Sequence, residues 1–146
     1  MSSSRFRARS GVHRRVENIR EEREAEGGSA PKVVFSFKDF DNVQIPPGQS
    51  FEQWQKDGLL AYFLEQMKSI SQWTMQEAQE NGLITIYKKF PPESDFKCPP
   101  HIAPDVKWAV IKKVKGQKGR VAGHVIGNVF YVVFLDKNHT FWRMDR

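Results

Sequence analysis

RVAGHVIGNVFYVVFLD, residues 120–136, decides the fold. Two runs dense in β-branched and aromatic residues, Arg120 to Ile126 and Val129 to Leu135, flank Gly127-Asn128. Both turn residues tolerate positive φ, which a two-residue hairpin loop requires. The turn fixes the register: Ile126 opposes Val129, Val125 opposes Phe130, His124 opposes Tyr131, and Arg120 falls opposite Leu135. Side chains alternate along a strand, so two faces follow. One carries Val121, Val125, Phe130, Val132 and Phe134. The other gathers Arg120, Ala122, His124, Tyr131 and Val133, with Trp142 from a last strand expected over Thr140 to Met144.

Working outward, Val106 to Val114 is a third strand-like run, and Leu83 to Phe90 and Val33 to Phe37 are shorter ones. Ser50-Phe51-Glu52-Gln53 is a capping box that opens a helix. Leu59, Leu60, Phe63, Leu64, Met67 and Ile70 recur at helical spacing and form one apolar stripe, expected to lie on the apolar face of the hairpin. Thr74-Met75-Gln76-Glu77 is a second capping box, and Asn81-Gly82 ends the short helix it starts. The fold class is therefore α+β, with helices packed on a C-terminal antiparallel β-meander. Pro91-Pro92 and Pro99-Pro100 mark an irregular stretch to Pro104.

The chain divides at residue 30. Residues 1–30 carry seven arginines and few apolar side chains, so burial cannot offset the entropy of ordering them. They form a charged flexible arm, disordered or helical in part over Val12 to Ala25. Residues 31–146 form the α+β domain. No run approaches the roughly 18 apolar residues of a membrane span, and no apolar segment follows the first arginines as a secretory signal would need. One cysteine, Cys98, cannot staple the fold and points to a reducing, cytoplasmic setting. No metal site and no cofactor are expected, since Walker and dinucleotide motifs are missing and no spacing forces His101, His124 and His139 together.

A net charge of +6 and pI of about 9.5 favour polyanionic partners. The charge is local: Val106 to Arg120 holds six cations and no acid. Lys112, Lys113, Lys115 and Lys118, with two glycines among them, suit a sugar-phosphate backbone, and a solvated hairpin that guards a sheet edge is the plainer alternative. Arg120, His124 and Tyr131 on one face combine a charge-stabilising cation with groups able to exchange protons. The Asp136–His139 turn adds a histidine that an acid could orient. Arg120, His124, Tyr131 and His139 are thus the candidate catalytic residues, with His101 in the proline-rich loop behind them. Trp142 offers a base-stacking surface, with Arg143 beside it. A cross-strand His124–Tyr131 contact that merely steadies the sheet is the competing reading.

The run Gly119 to Gly123, then Val129 to Asp136, then Asn138-His139 before Phe141, resembles the C-terminal part of small proteins of bacterial mobile elements. Phe35-Ser36-Phe37 fits the same likeness. Helices followed by an antiparallel meander are also similar to RelE-type and barnase-like ribonuclease toxins. The resemblance implies a small toxin that cleaves RNA or blocks translation, neutralised by an antitoxin protein, with Arg120, His124 and Tyr131 analogous to such toxins' sheet residues. RNA rather than DNA is the expected nucleic acid. The alternative is a non-catalytic module that binds nucleic acid or protein through the basic loop and arm.

Overall fold

The computed structural model describes residues 30–115 and 119–143. The expected arm over residues 1–30, apart from its last residue, lies outside the described residues, as does Lys118. Strand β1 (Val34–Ser36) is followed by α1 (Phe51–Lys56), α2 (Leu60–Ile70) and α3 (Met75–Glu80), then β2 (Ile84–Ile86), β3 (Lys107–Ile111), β4 (Arg120–Ile126) and β5 (Val129–Asp136). The five strands form one sheet in the order β1-β5-β4-β3-β2. Neighbours are antiparallel from β2 to β5, and β1 alone joins in parallel, with Val34 beside Val129 and Ser36 beside Tyr131. The α+β class and the C-terminal meander are as expected, with a fourth and a fifth strand added at its two edges.

The hairpin turn is where the sequence puts it, with Gly127 at φ 60°. The first pairs match: Ile126–Val129, Val125–Phe130 and His124–Tyr131. The register then slips, because Gly123 opposes Val132 while Ala122 opposes Phe134. Val133 is the extra residue of a β-bulge. Arg120 consequently meets Asp136 instead of Leu135, and Phe134 crosses to the face opposite the one expected. The glycine is required here. A Cβ on Gly123 would collide with the Tyr131 carbonyl and press on the Phe130 ring.

The sheet is buried on both faces. Val121, Val125, Phe130, Val132 and Leu135 pack with Trp54, Phe63, Ile70 and Ala78 of the helices. Ala122, Val133, Phe134, Trp108 and Val110 pack with Phe96, Ile102 and Phe141 from irregular chain. This second layer explains why β4 and β5 are almost continuously apolar, a pattern that sheets exposed on one face do not show.

Three expected elements are corrected. The helix begun at Ser50 is two helices, since Gly58 at φ 73° ends α1 in a Schellman turn: its N–H reaches the Gln55 carbonyl, and Leu59 N–H reaches that of Trp54. Along α2 the stripe is unevenly buried, with Phe63 and Ile70 in the core and Leu64 57% exposed. No strand forms over residues 140–143, because Asp136 takes the Thr140 and Phe141 N–H groups that a ladder would have used. Strand β3 stops at Ile111, short of Val114, ahead of Lys113 at φ 57°. Both capping boxes close at both arms. No helix among the described residues is long and apolar enough to cross a membrane.

Candidate functional site

Beyond β1 the chain turns, with Phe40 N–H on the Phe37 carbonyl, and docks back on β5 through Asp41 N–H to the Val133 carbonyl. Parallel pairing has already set Ser36 beside Tyr131, so the turn carrying Lys38 and Asp39 lies over the His124–Tyr131 pair. His124 Nε2 is 2.9 Å from Asp39 Oδ2, and Lys38 Nζ is 3.0 Å from Oδ1 of the same carboxylate. The Tyr131 ring stacks on the imidazole with centroids 4.7 Å apart and planes 10° apart. Lys38 Nζ lies 5.2 Å from the Tyr131 ring centre. His101, from the proline-rich loop, places Nε2 3.0 Å from the Asp39 carbonyl oxygen. One residue thus ties together a strand, a turn and a loop.

The electrostatics follow from these bonds. Burial alone would raise the Asp39 carboxyl, but hydrogen bonds from His124 and Lys38 and their charge hold it below the usual carboxylate range. His124 is buried, and its Nδ1 meets no partner among the described residues. Asp39 Oδ2 can only accept, so Nε2–H is the donor of the bond between them. His101 is exposed. Its carbonyl partner can only accept, so Nε2 is again the donor.

The four candidate catalytic residues separate into two groups. Arg120 and His124 share a face of β4, yet four residues of strand put them about 13 Å apart. Arg120 is buried, its Nη1 donating to the Gly119 carbonyl at 3.2 Å. It stands opposite Asp136, whose carboxylate accepts Thr140 and Phe141 N–H at 2.9 Å and Thr140 Oγ1 at 3.3 Å. Burial raises the Asp136 carboxyl, against the lowering effect of those bonds and of His139. His139 sits in that turn at φ 58°, its N–H 3.4 Å from the Asp136 carbonyl. Arg120 and His139 belong with this turn; His124 and Tyr131 belong with Asp39.

The candidate binding residues are likewise dispersed. Trp142 stacks on Tyr87 at 3.7 Å with planes 7° apart, and Arg143 pairs with Asp95 at 2.6 Å. Lys112, Lys113 and Lys115 follow β3. Among the described residues no three His, Cys, Asp or Glu side chains gather in a way that could hold a metal ion.

Lys38 and Asp39 were missed by sequence reasoning. Asp39 lies 85 residues before His124, and only a parallel edge strand brings it and Lys38 there. The one local signal is an acid-rich turn, Lys38-Asp39-Phe40-Asp41, directly after a strand. No protein-family model matches the chain, and no curated protein or solved structure matches it significantly.

Proposed function

We propose that the protein is a small cytoplasmic toxin that cleaves RNA at the side chains gathered around Asp39, and that an antitoxin protein holds it in check. The observation that supports this reading is one carboxylate that receives an imidazole and an ammonium beside a phenol, with a second, exposed imidazole on its carbonyl. Lys38 supplies positive charge toward a phosphodiester, so the step needs no metal. His101 Nδ1 accepts the 2′-hydroxyl proton as that oxygen attacks phosphorus. The bond to the 5′ oxygen breaks, and the Tyr131 phenol supplies the proton the leaving oxygen takes up. His124 and Asp39 are positioning residues: they hold the turn and do not touch substrate. Arg120 and His139 have no part in this step.

The test is incubation of the purified chain with RNA in chelator. Cleavage should fall at least about a hundredfold in His101→Ala and Lys38→Ala and survive in Arg143→Ala. Intact RNA after incubation with the unmodified chain would remove the catalytic reading. Expression in a bacterial host should arrest growth, and the His101→Ala variant should not.

A second reading is favoured by the burial of His124 and by the lysines after β3: a non-catalytic module that binds RNA. It predicts salt-sensitive binding without turnover.

A further inference from the structure

The basic segment after β3 meets the exposed side of α2 at a residue that counting charges passes over. Gln66 of α2 donates from Nε2 to the Lys112 carbonyl at 2.8 Å, which holds the end of β3 against the helix. Lys113 then turns the chain at φ 57°, and Lys115 returns with Nζ 5.2 Å from the centre of the Tyr62 ring. Tyr62 stands one helical turn before Gln66 and is 49% exposed. Most other aromatic rings of the domain are drawn into the two cores or stacked on another ring. Tyr62 instead offers about half its surface to water with a cation on its ring. Lys113 and Lys115 form no ion pair among the described residues.

We infer that Tyr62, Lys113 and Lys115 form a subsite for single-stranded nucleic acid, in which a base stacks on the Tyr62 ring and the two lysines take the neighbouring phosphates. A stacking platform edged by cations is the recurring solution for unpaired strands, because every base has a π face and every linkage a charge. A duplex hides those faces inside its own stack, so the subsite discriminates by strandedness. Glu65, one position from Gln66 and exposed, is the nearby acid that opposes phosphate. The inference rests on the reading that the protein binds RNA, and extends it by naming the form of RNA and the residue that recognises it.

The test uses the full chain and a labelled 2′-O-methyl oligonucleotide, which resists cleavage through the 2′ position, read by fluorescence anisotropy against a duplex of the same sequence. The single strand should bind more tightly. Tyr62→Ala should weaken it about tenfold or more with an unchanged salt slope, whereas Tyr62→Phe should stay within about threefold. Lys113→Gln and Lys115→Gln should each lower the salt slope by about one, and Glu65→Gln should tighten binding. Circular dichroism of the Tyr62 variants separates a binding defect from a folding one. Undiminished binding by a folded Tyr62→Ala, or equal affinity for the duplex, overturns the inference and leaves RNA binding standing. Failure of the unmodified chain to bind any oligonucleotide overturns both.

Discussion

Asp39 and His124 meet at 2.9 Å across 85 residues of sequence, and this bond fastens the turn after β1 to the centre of the sheet. The histidine is buried and the carboxylate side chain is 15% exposed, so the pair is shielded from the screening that makes surface ion pairs weak. It is also the most informative place to perturb the molecule.

Asp39→Ala should cost about 1–3 kcal/mol, because it leaves a buried imidazole N–H without an acceptor. The folded carboxyl lies below its unfolded value of about 3.9. Its contribution is therefore fully present above the unfolded value and is lost as pH falls through the folded one. Urea unfolding between about pH 2 and 6 should show an acid limb that is shallower in Asp39→Ala. An unchanged limb would mean that the pair contributes nothing to folding.

Asp136 has the opposite sign. Burial raises its carboxyl, so its contribution is present below the unfolded value and is lost as pH rises through the folded one. Asp136→Asn can still accept the Thr140 and Phe141 N–H groups and removes that dependence; it should cost about 1 kcal/mol or less. Asp136→Ala leaves two N–H groups without their acceptor and should cost about 2–4 kcal/mol. Equal losses in the two variants would argue that the bonds to the turn are unimportant.

Gly123→Ala should cost about 3 kcal/mol or more, since its Cβ meets the Tyr131 carbonyl at the bulge and backbone cannot move aside cheaply. Gly127→Ala is the control. It places a Cβ in open space at φ 60° and should cost only about 1 kcal/mol. Thermal melts of the two variants check the contrast.

Phe63→Ala should destabilise by about 3–5 kcal/mol, while Leu64→Ala, one position on and 57% exposed, should stay within about 0.5 kcal/mol. Chemical denaturation of the pair tests whether α2 faces the sheet as described.

The sequence by itself determined the local features. Ser50 and Thr74 cap helices because their hydroxyls sit three residues from the N–H groups they serve. Gly127-Asn128 turns the hairpin because the loop is two residues long, and His124 and Tyr131 pair because they are equidistant from it. Each of these is settled within a few residues. Gly58 divides what reads as one helix, because the capping box at Ser50 and the apolar stripe that begins at Leu59 run together in the sequence. Tertiary structure decided the rest. The bulge at Val133, which moves Phe134 and sets Arg120 opposite Asp136, answers to packing on both faces of the sheet. The parallel addition of β1 brings Lys38 and Asp39 to His124, because an edge strand chooses its partner by long-range burial and backbone pairing, which no spacing in the sequence records.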